Sequence, residues 1–216
     1  MVHASEFILL AGTKVGEKSL VLHTLSRRWG RRSFLTSVGR KSPMALFLPL
    51  SLLEGEVVEN ARSELWRLRE ISAAHPLGGI RGDLHKNTMT LFLSEVLYRT
   101  VRDGEGDEEL YDWCRRSILT LDALETDFSN FHLRFLLEFA TVMGFSPSAE
   151  DLAPFAGEHF SKVQQLLKGS AADSLLVPMN GAERNEVASL LLDYIGWHTE
   201  TKIAVRSLGV LRELYK

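Results

Sequence analysis

Residues 19–38, SLVLHTLSRRWGRRSFLTSV, place two apolar runs on either side of a basic turn. Residues 19–25 contain Leu20, Val21 and Leu22, and residues 32–38 contain Phe34, Leu35 and Val38, which suits short strands. Gly30, in the turn between them, tolerates a positive φ. Outward from this pair, an apolar run at 6–11 precedes, and further runs at 50–58 and 65–71 follow. In the last, Leu65, Arg67 and Arg69 alternate with Trp66, Leu68 and Glu70, a partial period of two. Gly12, Gly16, Gly39 and Gly55 fall at or near the ends of these runs. Five short strands with glycine-bearing turns predict a small closed barrel. An OB-fold fits that count, and so does an SH3-like barrel.

The pattern changes after His75-Pro76-Leu77-Gly78-Gly79, a linker by composition. Met89, Phe92, Leu93, Val96 and Leu97 follow helical spacing, as do Leu110, Trp113, Cys114, Ser117, Ile118 and Leu121. Gly104 and Gly106, among acids, mark the break between these helices. A third helix, about 130–143, is apolar almost all round, as befits the centre of a bundle, and Gly144 and Pro147 end it. Val187, Leu190, Leu191, Tyr194 and Ile195 form another stripe, and a last helix spans about 207–214. The expected class is α+β in two domains: a five-stranded barrel over 1–76 and an all-helical domain over 80–216.

With 45% apolar and 25% charged residues, the chain is globular rather than disordered. The apolar stretch 44–53 is too short for a bilayer and contains Pro49, and the N-terminus lacks the marks of a secretory signal. A single cysteine, Cys114, excludes an internal disulfide and a multi-cysteine metal site, in keeping with a reducing cytosol. The net charge of −3 hides a division: residues 1–78 carry eleven Lys/Arg against seven Asp/Glu, and residues 79–216 carry fourteen against twenty-one. Between 14 and 41, eight basic residues face Glu17 alone. Such asymmetry is a mark of nucleic-acid contact.

Catalytic signatures are missing. Gly12-Thr13-Lys14-Val15-Gly16-Glu17-Lys18-Ser19 has one residue too few between its glycines for a phosphate loop, and Glu17 would repel phosphate, so a hairpin turn is expected. The seven histidines are scattered, His132 falls on the apolar helix as a core residue, and Cys114 fills core space. The run 103–112, with five acids in its first seven residues, reads as a solvated loop. No enzyme, metal or other cofactor is expected.

Arg27, Arg28, Arg31 and Arg32 surround Trp29 and Gly30 at the turn between the paired strands, with Arg40 and Lys41 beyond the second strand. This distribution could track a phosphate backbone, with Trp29 or Phe34 offering a surface for a stacked base. Phosphate contact would show as salt dependence, with log K falling by roughly 0.7 per neutralised charge on single strands for each tenfold rise in salt. Replacing the four arginines with alanine should weaken binding and leave the fold intact. The simpler reading is a solvated turn with Trp29 packed beneath it.

The order of features resembles the RecO family along nearly the whole chain. Phe7-Ile8-Leu9-Leu10, Val15-Gly16-Glu17-Lys18 and Leu20-Val21-Leu22 resemble that family's opening strand, Gly-Glu turn and second strand. Leu25-Ser26-Arg27-Arg28-Trp29-Gly30-Arg31 is similar to its next turn, and Gly39-Arg40-Lys41 to its glycine-basic segment. Phe135-Leu136-Leu137-Glu138-Phe139, then Met143-Gly144-Phe145, is similar to its leucine-rich helix and Gly-aromatic signature. Leu191-Leu192-Asp193-Tyr194-Ile195, His198 and 206–214 resemble its close. The resemblance implies an N-terminal OB-fold and a non-enzymatic mediator of recombination in the bacterial cytoplasm, associated with the nucleoid. It implies binding of single- and double-stranded DNA, strand annealing, and work with RecR to load RecA onto strands coated by single-strand-binding protein. The expected DNA-binding set is Lys14, Lys18, Arg27, Arg28, Trp29, Arg31, Arg32, Arg40 and Lys41. Many members carry a four-cysteine zinc module after the Gly-aromatic signature. Residues 146–160 hold no cysteine, so no zinc is expected and the shape of 149–169 stays open. Arg134 could receive the acidic tail of single-strand-binding protein, although Glu138, four residues on, is its simpler partner. An adaptor that uses the basic barrel on an acidic protein is the alternative.

Overall fold

The computed structural model describes residues 1–39, 44–104 and 106–214. They form two compact units, Met1–Gly78 with Leu93–Ile118, and Gly79–Phe92 with Leu119–Lys216.

The first unit is built on five strands, β1 (Val2–Lys14), β2 (Ser19–Ser26), β3 (Gly30–Ser37), β4 (Leu52–Val58) and β5 (Trp66–Ala73). They close in the order β1-β2-β3-β5-β4. All pairings are antiparallel except β3 with β5, where Phe34 and Leu35 lie opposite Trp66 and Arg67 in parallel. This is the Greek-key barrel of an OB-fold. The first strand is longer than the apolar run 6–11 because it pairs twice, with β4 over Val2 to Ile8 and with β2 over Ile8 to Lys14. A bulge between Leu9 and Ala11 bends it from one neighbour to the other. The segment at Gly16 is a hairpin turn, with φ of 74° at that glycine and the Val15 N–H donating to the Ser19 carbonyl. Phe7, Leu9, Leu22, Phe34, Leu53, Val57 and Leu68 fill the interior. At roughly 1.5–3 kcal/mol per buried large apolar side chain, they supply the main driving force for closure.

Helices α1 (Gly78–Arg81), α2 (Leu84–Thr100) and α3 (Glu108–Ala123) follow the barrel. Cys114 is fully buried, and burial pushes its thiol pKa well up. No helix among the described residues is long and apolar enough to cross a membrane.

In the second unit, α4 (Phe131–Val142) buries residues on nearly every side, including Leu133, Leu136 and Phe139, and packs on α8 (Gly181–His198). Past the end of α4, Gly144 takes a φ of 92° while the Phe145 N–H reaches back to the Ala140 carbonyl, a C-terminal cap that needs the glycine. The stretch left open by the sequence forms α5 (Ala149–Ala156) and α6 (Phe160–Lys168), and α7 (Ala171–Leu175) follows it. Ser148 and Ser170 each begin a helix with a reciprocal cap, to Asp151 and Asp173. Leu152, Ala156, Val163 and Leu166 bury the faces of α5 and α6. Without thiols, this stretch does not fit a four-cysteine zinc centre. Glu158, His159 and Glu186 bring donor atoms within 4.8 Å of one another, and a hydrogen bond between His159 and Glu186 joins two of the three. The last helix is α9 (Ser207–Leu214).

His132 is wholly buried in this unit, and burial, aided by the positive charge of Arg184, lowers its pKa to about 3. The unfolded chain protonates the same imidazole near 6.5, so between about 6.5 and 3 the unfolded state holds the extra proton. Stability contributed by neutral His132 is therefore present above 6.5 and falls with pH below it. Urea unfolding at pH 4 to 7 should show a shallower acid limb in His132→Gln, by up to about 1.4 kcal/mol per pH unit. Identical slopes in the two proteins would show that His132 is not held neutral.

Candidate nucleic-acid interface

The β2–β3 turn sorts its side chains by position. Ser26 Oγ accepts from the Trp29 N–H at 3.2 Å and donates to the Gly30 carbonyl at 3.3 Å, while Gly30 adopts a φ of 56°. This geometry leaves Arg27 and Arg28 exposed and turns Trp29 into the barrel. Its ring stacks on Phe7 at 6.2 Å and meets Phe34 and Trp66 edge-on at 6.0 and 6.2 Å.

Trp29 is 9% exposed and Phe34 is fully buried. The stacking surface expected of them is therefore corrected: both rings are barrel core. Withdrawing Trp29 would forfeit roughly 1.5–3 kcal/mol of burial, about what one stacked base returns. Trp29 instead lies under Arg28, whose guanidinium sits 5.2 Å from its ring centroid.

The four arginines share one end of the barrel but have different surroundings. Arg28 donates to His3 Nδ1 at 3.0 Å. Arg27 pairs with Asp112 at 2.5 Å and lies 5.6 Å from the Tyr111 ring centroid. Arg32 donates to the Glu64 carbonyl at 3.1 Å with its guanidinium 3.6 Å from the Trp66 centroid. Arg31 is committed to its own unit: Nη1 donates to the Tyr98 and Val101 carbonyls at 2.8 and 2.7 Å, and Nε pairs with Asp103 at 3.1 Å. Removing all four arginines thus cannot leave the fold untouched, contrary to expectation.

Lys14 and Lys18 are exposed at the β1–β2 hairpin, at the other end of β2. With eight residues in β2, at about 3.3 Å each, the two basic groups lie about 25 Å apart. Arg40 and Lys41 fall outside the described residues. On the outer face, His23 bonds Thr13 and Ser33, and its ring lies 5.0 Å from that of Tyr98. Burial, then the charge of Arg31, holds the His23 pKa below its ordinary value. Toward the hairpin, Thr13 and Ser37 stay exposed and Val21 and Leu35 half-buried. In OB-folds, oligonucleotides take the β2–β3 face and the loops between β1 and β2 and between β4 and β5. Arg62 in the latter loop and Arg67 and Arg69 on β5 add exposed cations that were absent from the expected set. Their signal in the sequence was weak because Glu54, Glu56, Glu59, Glu64 and Glu70 surround them.

The acidic run 103–112 was expected to be a solvated loop. Its described residues from Asp103 to Glu109 are exposed, and two of its carboxylates, Asp103 and Asp112, also bind Arg31 and Arg27. Opposite charges 85 positions apart leave no local mark of their pairing. Arg134, by contrast, donates to Glu138 at 2.7 Å, the local pairing that the spacing favours.

The fold and this face define an α+β protein whose OB-fold barrel carries basic groups at both ends of one strand, followed by a helical region. The sequence pattern of the family described as "Recombination protein O C terminal" matches residues 81–154. The chain is similar to the DNA repair protein RecO of Phocaeicola vulgatus, 30% identical with both chains covered in full. The same is true of DNA repair protein RecO from Bacteroides fragilis at 28%. That of Flavobacterium johnsoniae is 27% identical over 96% of this chain and 97% of its own. The chain belongs to the RecO family of DNA repair proteins.

Proposed function

We propose that this protein is a DNA-binding recombination mediator. Its barrel, read as a domain over 1–76, binds single- and double-stranded DNA and brings complementary strands together. Its helical part, read as 80–216, engages partner proteins: with RecR it helps load RecA onto strands coated by single-strand-binding protein. The site of action is the bacterial cytoplasm, at the nucleoid. It acts without catalysis, and its one thiol, buried and protonated, is no nucleophile.

The observation that carries this reading is the OB barrel with exposed Lys14 and Lys18 at one end of β2 and exposed Arg27 and Arg28 at the other. A single strand laid along β2–β3 would meet cations at both ends. Arg32 adds charge beside them, Trp29 supports Arg28 from below, and Arg31 acts by shaping the turn. Arg40 and Lys41 belong to the proposed set by sequence.

Fluorescence anisotropy of a labelled single-stranded oligonucleotide across several salt concentrations tests it. Lys14→Ala, Lys18→Ala, Arg27→Ala and Arg28→Ala together should weaken binding on the order of 100-fold near 0.1 M salt. They should also flatten the log–log salt slope by up to about 2.8, at 0.7 per lost contact. Wild-type protein that fails to bind even at low salt, with RecR present or absent, would favour the adaptor.

A further inference from the structure

We propose that Asp112, with Asp103 and Glu108 beside it, forms a built-in phosphate substitute that DNA must displace from Arg27 on the β2–β3 turn. The proposal rests on the DNA-binding reading above and assigns a regulation to the same site.

Three observations within the first unit carry it. First, an acid occupies the guanidinium that a phosphate would use, Asp112 on Arg27 at 2.5 Å, while Asp103 on Arg31 at 3.1 Å fixes the neighbouring backbone beside it. Second, the segment between α2 and α3 is fitted to the turn rather than lying near it. Asp103 forms isolated β-bridges with Gly30 and Arg31, and a Cβ on Gly106 would stand 2.1 Å from the Arg27 carbonyl oxygen and 2.6 Å from that of Arg28. Only glycine permits that approach. Third, basic Arg27, Arg28 and Arg32 and acidic Asp103 and Glu108 line one open hollow of about 1070 Å³.

The two ion pairs do different work. Arg31 is 21% exposed and held by two carbonyls besides Asp103, so it anchors the segment. Arg27 is 49% exposed and its pairing with Asp112 is bathed in solvent, so a polyanion can exchange for the carboxylate. Exposed pairs of this kind are weak, which suits a device that lowers affinity for short or isolated anions and yields to a strand presenting many phosphates at once. Freed Asp112, with Glu108 lining the same hollow, would then repel the strand unless it moved away, so binding and displacement are coupled.

The test compares wild type, the isosteric triple variant Asp103→Asn, Glu108→Gln, Asp112→Asn, and the single variant Asp112→Asn, each with and without Arg27→Ala, on the same oligonucleotide. The single variant leaves Asp103 in place and keeps the test valid should the triple variant fold poorly. Removing the acids should tighten binding on the order of 5-fold near 0.1 M salt and steepen the salt slope by roughly 0.7 as Arg27 is released. In the Arg27→Ala background the gain from Asp112→Asn should vanish, because the two side chains act as a pair. No gain, or a gain that persists undiminished without Arg27, overturns the proposal: the former makes the pairs purely structural, the latter a general effect of net charge. Wild-type binding that is indifferent to Arg27, Arg28, Lys14 and Lys18 instead sinks the DNA-binding reading, and this inference with it.

Discussion

Arg31→Ala is expected to lower the stability of the first unit by about 3 kcal/mol, a drop of roughly 12–24 °C in its thermal midpoint. The guanidinium donates to the Tyr98 and Val101 carbonyls, where α2 ends and its last carbonyls lack helical partners. Its Nε is paired with Asp103, and its face lies 4.6 Å from the Tyr98 ring centroid. Alanine abandons all of these groups in a partly buried place. Arg31→Lys separates structure from electrostatics, since an ammonium keeps the charge but cannot satisfy acceptors spread across the guanidinium fork. The lysine variant should therefore lose most of the same stability while its salt slope on DNA stays at the wild-type value. A lysine variant with wild-type melting, alongside an alanine variant of reduced salt slope, would make Arg31 a phosphate ligand after all.

Asn130→Ala should have a comparable or larger effect in the second unit, about 3–5 kcal/mol. Asn130 is 1% exposed. Its Nδ2 donates to the carbonyls of Val177, Leu175 and Ser174 at 2.7, 3.1 and 3.4 Å, and its Oδ1 accepts from Arg184 Nε at 2.8 Å. One amide thus ties the start of α4, the end of α7, the segment after it and α8. Asn130→Asp is the sharper probe. It would strengthen the attraction to Arg184, yet it replaces the donor with a carboxylate oxygen aimed at carbonyl oxygens. The aspartate variant should be at least as unstable as alanine, with hydrogen exchange accelerating first around 171–180. An aspartate variant as stable as wild type would show that the Arg184 contact, not the donated bonds, holds this junction.

Both positions show where reading the sequence stops. The five strands, the β1–β2 hairpin, the apolar α4 with its Gly144 ending and the Arg134–Glu138 pair were legible because each depends on neighbours within about four residues. Periodicity, turn chemistry and helical spacing act over that range. The helices α5 to α7 were less visible because they are short, although the Ser148–Asp151 and Ser170–Asp173 caps were present as a signal.

Of the site, the clustering of basic residues was legible but the state of each was not. Arg27, Arg28, Arg31 and Arg32 are equivalent by composition; only the strand alternation and the arrival of Tyr98, Val101 and Asp103 make Arg31 structural and set Arg28 against His3. Trp29 reads equally as a stacking platform or a core residue until the closed barrel puts Phe7, Phe34 and Trp66 around it. Strand number likewise fitted two barrels, and the parallel contact of β3 with β5 chose between them. By itself the sequence determined which segments bury an apolar face and where positive charge is dense, since those follow from local composition and spacing. The tertiary structure alone decided the order in which the strands close and which cations are already bound to acids, because both depend on residues brought together across long intervals of chain.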